Sequence, residues 1–206
     1  MRSLGRLVFT FSSLAAITAG NRILFYNQER CDSEFRGCDK IGAATCCISS
    51  VGNRAVLISK APLDVAIGWF ENFNTDNYCG VNACSAGGEG NLCCLADLAE
   101  YTGASFYTIG SKMSRASAEE QKCTSSQEVN VFGVTIGDGQ HLMIGQNEAK
   151  ARSASFTELH EAFQKVAPAD AEAWLLQNGA VVVSDAGPIT QTVKVVSNLL
   201  SYFADR

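Results

Sequence analysis

Hydrophobic positions follow two different patterns along this chain of 206 residues. Up to residue 115, short apolar runs are separated by polar turns rich in glycine, asparagine and serine. The runs at 23–26, 55–58 and 105–109 are short and rich in aromatic and branched side chains, which predicts buried strands. A further short strand is expected from Phe35 to Cys38. The first half of the chain is therefore expected to be all-β.

Longer patterns begin after residue 128. The runs 129–136 and 140–144 flank Gly137-Asp138-Gly139, which predicts a β-hairpin. Ser155 and Glu158 then form a capping box, the usual start of a helix. The apolar residues that follow recur at helical spacing: Phe156, Leu159, Phe163 and Val166. This spacing predicts a helix that ends before Pro168.

Three more elements are expected towards the C-terminus. A helix should span 169–177 and stop at Asn178-Gly179, and a buried strand should span 180–183. A final helix should follow Gly187-Pro188, with an apolar face formed by Ile189, Val193, Val196, Leu200 and Phe203. Residues 129–206 are thus predicted to form a small α+β module whose helices cover a sheet.

The cysteines are organised as an internal repeat in the first half. The spacings are F-x5-C-x6-C-x7-CC from Phe25 and F-x5-C-x4-C-x8-CC from Phe73, a period of 48 residues (73 − 25). Four short strands fit that length. The eight repeated cysteines are Cys31, Cys38, Cys46 and Cys47 in the first copy, and Cys79, Cys84, Cys93 and Cys94 in the second.

Residues 1–20 resemble a secretory signal peptide. Arg2 and Arg6 precede the apolar stretch 7–16, and small residues up to Ala19 and Gly20 follow. The apolar stretch is shorter than the roughly 20 residues that span a bilayer. We therefore expect a cleaved signal, an extracellular protein and no integral membrane segment in the mature chain.

An oxidising compartment explains the cysteine content. Disulfides persist outside the cell, whereas zinc sites usually have C-x2-C spacing and nearby histidines. The two histidines, His141 and His160, are far from the cysteine repeat. We predict disulfides within each repeat, with the connectivity open. The ninth cysteine, Cys123, would be free or would link two chains, unless one cysteine of a doublet is the spare one.

Charge excludes some partners. The net charge is −5, and without residues 1–20 the chain has 14 basic (16 − 2) and 21 acidic residues. An acidic chain without a basic cluster is unsuited to nucleic acid and to anionic membranes. The expected partner is an unknown extracellular polysaccharide or protein.

The repeat resembles the Greek-key unit of βγ-crystallins, over about residues 21–115. The second copy has Trp69-Phe70-Glu71 and Asn77-Tyr78-Cys79-Gly80, with six residues between Phe73 and Gly80. In the first copy Ser33 stands where the pattern has glycine after Tyr26. The paired cysteines are also similar to a pattern of small secreted proteins of fungi.

The resemblance implies a fold and raises the question of calcium. The expected fold is α+β: a disulfide-stapled, crystallin-like double Greek key in 21–115, followed by the cysteine-free module. The expected divisions are a signal at 1–20, repeats at 21–68 and 69–115, a linker at 116–128 and the module at 129–206. Crystallin-type domains often bind calcium, but here no acids precede Ser49-Ser50, so no strong site is expected.

No catalytic set is apparent in the sequence. No G-x-S-x-G, P-loop or H-E-x-x-H motif occurs, and His141 and His160 are expected to be structural or surface residues. Glu71 and Asp76 could pair as in glycosidases, but their spacing does not distinguish them from other acids. The glycine-rich loop 87–90 lacks the context of a phosphate site. We expect no catalytic, cofactor-binding or metal-ligating residues and no cofactor.

Three functional classes remain after these exclusions. The first is a secreted, non-enzymatic effector, toxin or defence protein that binds a cell-wall, membrane or protein target. The second is a surface-active coat protein, because the cysteine order from Cys38 to Cys123 is that of hydrophobins if Cys31 is set aside. The third is a secreted hydrolase that uses carboxylates.

Overall fold

A computed structural model describes residues 21–59, 64–72, 77–86, 90–96, 100–108, 123–137, 139–185 and 189–195. The expected signal peptide at 1–20 and most of the expected linker lie outside these residues. The strands and helices in chain order are β1 (Arg22–Tyr26), β2 (Glu34–Asp39), β3 (Thr45–Asn53), β4 (Ala55–Ser59), β5 (Asp64–Asn72), β6 (Asn77–Ala86), β7 (Asn91–Ala96), β8 (Tyr101–Thr108), β9 (Ser125–Glu128), β10 (Val131–Gly137), β11 (Gln140–Gly145), α1 (Gln146–Ala151), α2 (Phe156–Phe163), α3 (Ala171–Gln177), β12 (Val181–Ser184) and β13 (Ile189–Val195).

The two cysteine repeats form the same strand arrangement twice. One sheet contains the neighbours β2-β1-β4-β7, and the other contains β6-β5-β8-β3. Each repeat therefore keeps three strands together and places its third strand beside the fourth strand of the other repeat. Because a repeat lends one strand to its partner, neither sheet is complete without both copies.

Burial follows from this two-sheet arrangement. Every residue of β1 and β4 is buried, because both faces of these central strands are covered. Alternate residues Ile23 and Phe25 point towards the second sheet and pack with Tyr101 and Phe106 of β8. Leu24 and the other outward-facing residues form a second cluster on the opposite face. Because both faces of β1 and β4 are buried, the sequences of these strands are nearly continuous apolar runs.

Strands β10, β11 and β12 extend the first sheet, and within the described residues they form no separate sheet. β10 pairs with β2 in antiparallel register, from Val131 opposite Gly37 to Val134 opposite Glu34. β11 and β12 follow, so the described part of this sheet has the order β12-β11-β10-β2-β1-β4-β7-β13. The three helices cover one face of β10 and β11. The expected separate module therefore shares its sheet with the cysteine repeats.

An aromatic cluster holds these helices on the sheet. Phe132 of β10 lies 5.3 Å from Phe163 of α2, between ring centroids, and Phe163 lies 5.6 Å from Trp174 of α3. Leu175 and Ala171 complete the buried face of α3. The covalent links of the first half are thus replaced here by packing of large side chains.

Most of the predicted elements of the second half are present. The hairpin of β10 and β11 and the helices α2 and α3 lie where the pattern places them. The Ser155 hydroxyl accepts a hydrogen bond from the backbone N–H of Glu158 at 3.4 Å, as the capping box predicts. None of the helices within the described residues is both long and apolar enough to cross a bilayer.

Two predictions about the C-terminal part are wrong. The strand expected to be buried is β12, but Val181 and Val182 are 40% and 45% exposed because β12 pairs only with β11 among the described residues. Residues 189–195 form a strand, β13, parallel to β7, and not the start of a helix. Val196, Leu200 and Phe203 of the expected helical face lie outside the described residues.

Candidate functional site

A polar cleft lies where the cysteine repeats meet the later strands. Its volume is about 530 Å³. It is bounded by the end of β2, the end of β9, the start of β10 and the first turn of α1. The lining residues are Asp39, Lys40, Gln127, Glu128, Asn130, Val131, Gly145, Gln146, Asn147 and Glu148. Most of these side chains are amides or carboxylates, so the cleft offers hydrogen bonds and little apolar surface.

Asn130 of the lining is fixed by three hydrogen bonds. Its backbone N–H donates to Gly37 at 2.8 Å, and its carbonyl accepts from the N–H of Gln146 at 3.1 Å. Its side-chain oxygen accepts from the N–H of Asp39 at 2.9 Å. One residue therefore joins β2, β10 and α1. The rim of the cleft is held in one geometry, which lowers the entropic cost of binding a ligand.

Lys40 adopts an unusual backbone conformation at the edge of this cleft. Its φ is +56°, in the left-handed region that residues other than glycine seldom occupy. Its side chain is exposed and forms no ion pair within the part of the chain that the structure describes. Strained residues of this kind are frequent at ligand-binding sites. We therefore count Lys40 among the candidate binding residues.

Three acidic residues, Asp39, Glu128 and Glu148, line the cleft together with one lysine. The Nε group of Arg22 donates to Asp39 at 2.9 Å, and the N–H of Gly145 donates to Glu148 at 3.0 Å. Glu128 is exposed. The balance of three negative groups to Lys40 disfavours anionic ligands and suits hydroxyl-rich or cationic ones.

A buried polar network lies behind Asp39. Arg22 is 1% exposed, and its Nη1 group donates to the carbonyl of Ser184 at 2.7 Å and faces the Asp185 carboxylate at 3.5 Å. The other oxygen of Asp185 lies 3.0 Å from Nε2 of His141. Arg22 therefore joins β1, β2 and the end of β12 through the charges of Asp39 and Asp185.

The network continues from His141 to Tyr26. Nδ1 of His141 lies 3.1 Å from the Thr135 hydroxyl, which lies 3.1 Å from the Tyr26 hydroxyl. Burial raises the pKa of Tyr26, so its hydroxyl keeps its proton. Tyr26 can then donate to Thr135, Thr135 to His141, and Nε2–H of His141 to Asp185. His141 is fully buried within this network.

The disulfides link the two repeats as well as stabilising each. Two lie within a repeat, Cys38–Cys47 and Cys84–Cys94. The other two, Cys31–Cys93 and Cys46–Cys79, join the first cysteine of one repeat to the third of the other. Pairing confined to each repeat is therefore wrong for half of the bridges. The cause is the exchanged third strand, since β3 and β7 carry the doublets into the opposite sheet.

Cys123 is the cysteine without a disulfide partner. It is half-buried, and its sulfur lies 3.6 Å from the Tyr107 hydroxyl of β8. Burial raises the pKa of the Cys123 thiol, and the hydrogen bonds of Tyr107 and Ser105 act in the opposite direction. A link through Cys123 to another chain stays a prediction.

The remaining candidate residues from the sequence do not come together in one site within the described residues. His160 of α2 stacks on Phe132 with ring centroids 5.0 Å apart, and burial lowers its pKa. Ser49 is buried, donates to the carbonyl of Val51 at 2.8 Å and accepts from the Asn53 side chain at 2.9 Å, which leaves its hydroxyl engaged within the fold. The side chain of Glu71, the residue Asp76 and the loop 87–89 lie outside the described residues and side chains.

The residues of the cleft and of the network are the ones that sequence reasoning missed. Arg22 and Asp185 are 163 residues apart, so no local pattern joins them. One signal was present in the sequence: Arg22 is a charged residue at the start of an otherwise apolar strand, and such residues are seldom fully buried without a partner. Gln127 and Glu128 fall in the predicted linker 116–128, and Asn130 falls in the run 129–136 that predicts a strand, so neither pattern indicated a site.

Comparison with models of protein families identifies the family to which the chain belongs. The family model ARB_05566_N, which is described as an N-terminal domain, matches residues 22–130, or 109 of the 206 residues. The chain belongs to this family. No curated protein and no solved structure matches the chain significantly.

The matched region has a structural meaning. It begins at the first residue of β1 and ends at Asn130, directly before β10. It thus contains both cysteine repeats and β9. Half of the cleft, from Asp39 to Asn130, belongs to the family domain, and the other half belongs to the segment that follows it.

Proposed function

We propose that this chain is a secreted, non-enzymatic binding protein of the effector, toxin or defence type, and that its polar cleft recognises a cell-wall polysaccharide. The observation that carries the proposal is the cleft of about 530 Å³, lined by amides and carboxylates around the fixed Asn130. Such groups donate to and accept from sugar hydroxyls. The excess of carboxylates over Lys40 favours a neutral polymer over an anionic one.

Secretion is part of this proposal. Four disulfides with Cα atoms 6.0–6.3 Å apart support it, because such bridges persist in oxidising compartments. The signal-like stretch 1–20 supports it from the sequence side. Immunoblotting of the culture medium, with the N-terminus of the released chain sequenced, tests it directly; a chain that stays in the cell with Met1 intact would contradict it.

We also infer that β1–β8 are two Greek keys of the βγ-crystallin type. In each repeat the fourth strand lies beside the first, in the orders β4-β1-β2 and β8-β5-β6, while the third strand lies in the other sheet. Two-fold reciprocity of the disulfides supports the same interpretation. A solved structure of residues 21–130 would decide it by the strand order alone.

The binding proposal is tested with two amide side chains of the cleft. Gln127→Ala/Asn147→Ala removes two cleft amides, one half-buried and one exposed. The matched control is Gln28→Ala/Gln177→Ala, which removes two exposed amides outside the cleft. Sedimentation with insoluble chitin, β-glucan and mannan should retain the parent protein and the control on at least one polymer. The cleft variant should bind about 10-fold more weakly, because two hydrogen bonds contribute about 1–3 kcal/mol.

Two results would overturn this proposal. One is equal retention of the cleft variant and the control on every polymer that binds the parent protein. The other is absence of retention on all three polymers, with the protein correctly folded by circular dichroism.

A hydrolase is the second candidate, favoured by the three carboxylates in one cleft. Glycosidases use a pair of carboxyl groups on either side of the bond they cleave. Release of reducing ends from the bound polymer would support this activity, and it should disappear in Glu128→Gln/Glu148→Gln. Binding without release of reducing ends supports the non-enzymatic proposal.

A further inference from the structure

A third sulfur lies beside one of the two disulfides that join the repeats. The Sγ atoms of Cys46, Cys79 and Cys123 all lie within 4.8 Å of one another. Cys46 and Cys79 are bonded, and Cys123 is a free thiol. No third cysteine within the described ranges accompanies the equivalent bridge, Cys31–Cys93. The two bridges therefore join equivalent positions of the repeats. Within the described residues, Cys46–Cys79 is the one with a free thiol beside it.

The backbone next to Cys123 fixes this proximity. The N–H and the hydroxyl of Thr124 both donate to the carbonyl of Ala44, at 2.8 and 3.2 Å. From Ser125 onwards β9 runs parallel to β3, beginning with Thr45 opposite Ser125. The chain segments that carry Cys123 and Cys46 are thus joined as neighbouring strands.

We propose that Cys46, Cys79 and Cys123 form a thiol–disulfide exchange site. The Cys123 thiolate attacks the sulfur of Cys46, a Cys46–Cys123 bond forms, the Cys46–Cys79 bond breaks, and Cys79 leaves as a thiolate that takes up the proton lost by Cys123. The number of disulfides stays at four, so no oxidant or reductant is consumed.

Burial favours Cys79 over Cys46 as the leaving group. Cys46 is 3% exposed, whereas Cys79 is half-buried. A thiolate is less stable in an apolar surrounding, and the more stable thiolate leaves faster. The exchange therefore frees β6 from β3 and presents a half-exposed thiol on the outer side of the second sheet.

Tyr107 positions the attacking thiol. Its hydroxyl is the titratable group in contact with Cys123 within the described residues, and it stabilises the thiolate by a hydrogen bond. Because burial raises the pKa of Cys123 above its ordinary value, the thiolate is the minor form at neutral pH, and its fraction increases as the pH rises. Exchange should therefore be slow at pH 6 and faster at pH 8.5, and Tyr107→Phe should slow it further.

Alkylation mapping of the intact secreted protein tests the exchange. The protein is held at pH 6 or at pH 8.5, treated with N-ethylmaleimide, and mapped by non-reducing peptide mass spectrometry. The label should be on Cys123 after pH 6, and should appear on Cys79, with a Cys46–Cys123 peptide, after pH 8.5. Cys123→Ser should take up no label at either pH. Label confined to Cys123 at both pH values would overturn the proposal.

A variant gives an independent test of the same geometry. Cys79→Ser should contain no free thiol, because Cys46 and Cys123 pair during oxidative folding. The matched control is Cys31→Ser, in which Cys93 and Cys123 should both titrate as free thiols. Two free thiols in folded Cys79→Ser would contradict the inference. Polysaccharide binding is measured separately, so failure of one proposal does not affect the other.

Discussion

The two cysteine repeats are alike in their frame and differ in what has been added to each. Both have four strands, one internal disulfide and one strand lent to the other repeat. The sheet of the first repeat is extended by β10–β12 and contains the buried Arg22 network and the side of the cleft that begins at Asp39. The sheet of the second repeat carries the Cys46–Cys79 bridge, beside which Cys123 lies in the proposed exchange site.

This difference indicates where the two proposed sites lie in a repeated fold. The shared frame supplies rigidity. The bridges Cys38–Cys47 and Cys84–Cys94 join the two sheets. The bridges Cys31–Cys93 and Cys46–Cys79 join the two repeats. Both proposed sites lie where a repeat meets a segment that has no counterpart in the other copy. For the first repeat this segment is 129–151, and for the second it is the segment around Cys123.

The largest expected effect is the loss of stability when the buried Arg22 network of the first repeat is disrupted. Arg22→Met should lower the free energy of unfolding by about 3–5 kcal/mol, because Asp39 and Asp185 are left without their buried cation. The control is Arg30→Met, whose partner Asp32 is exposed, with an expected loss below about 1 kcal/mol. Urea denaturation measures both. Equal losses would show that the network does not hold the first sheet together.

The two disulfides that join the repeats should differ less from each other in the stability lost when they are removed. Replacing both cysteines of Cys31–Cys93 by serine opens a loop of 62 residues, and replacing those of Cys46–Cys79 opens one of 33 residues. Loop-closure entropy predicts losses of about 4.3 and about 3.7 kcal/mol. Thermal unfolding of the two double variants compares them. A loss several times larger for one bridge would mean that the repeats are not equivalent in their frame.

Relief of backbone strain should give a gain of stability. Lys40→Gly should raise the free energy of unfolding by about 0.5–1 kcal/mol, because glycine adopts the left-handed conformation without steric cost. The same change at Lys150 of α1, Lys150→Gly, should lower it by about 1 kcal/mol. Urea midpoints measure both. A loss at Lys40 would show that its side chain stabilises the cleft edge by more than the strain costs.

The smallest effect concerns pH. The pKa of His160 is lowered, chiefly by burial and further by Arg36, so the unfolded chain binds the proton more tightly. Its contribution to stability is complete above the unfolded value of about 6.5 and is lost as the pH falls through it. His160→Leu should therefore lose less stability between pH 8 and pH 5 than the parent protein does. Parallel pH profiles for the two proteins would contradict this assignment.

The local pattern of the chain was sufficient for about half of the described strands. Alternation and apolar runs predicted β1, β4, β8 and the hairpin of β10 and β11, because these signals depend on neighbouring residues. Residues 189–195 misled the helical interpretation: Ile189 and Val193 have helical spacing, but Thr190, Thr192, Val193 and Val195 are β-branched and favour a strand.

The pairing of distant cysteines and strands could not be predicted from the sequence. Eight cysteines allow 105 connectivities, and the observed one depends on the exchange of β3 and β7 between sheets. The cleft depends on β10 pairing with β2, a contact between residues 94 (131 − 37) to 100 (134 − 34) positions apart that carries no local signal. Neither the network nor the candidate site could therefore be seen before the strands were placed.

The most direct test of the account is nuclear magnetic resonance titration of the uniformly labelled protein with a soluble oligosaccharide of the polymer that retains it. The account predicts that backbone amide signals shift at the cleft, around Lys40, Gln127 and Asn147, and stay unchanged in β5, β6 and β8 of the second repeat. Shifts centred on β5, β6 or β8 would contradict the division of roles between the two repeats.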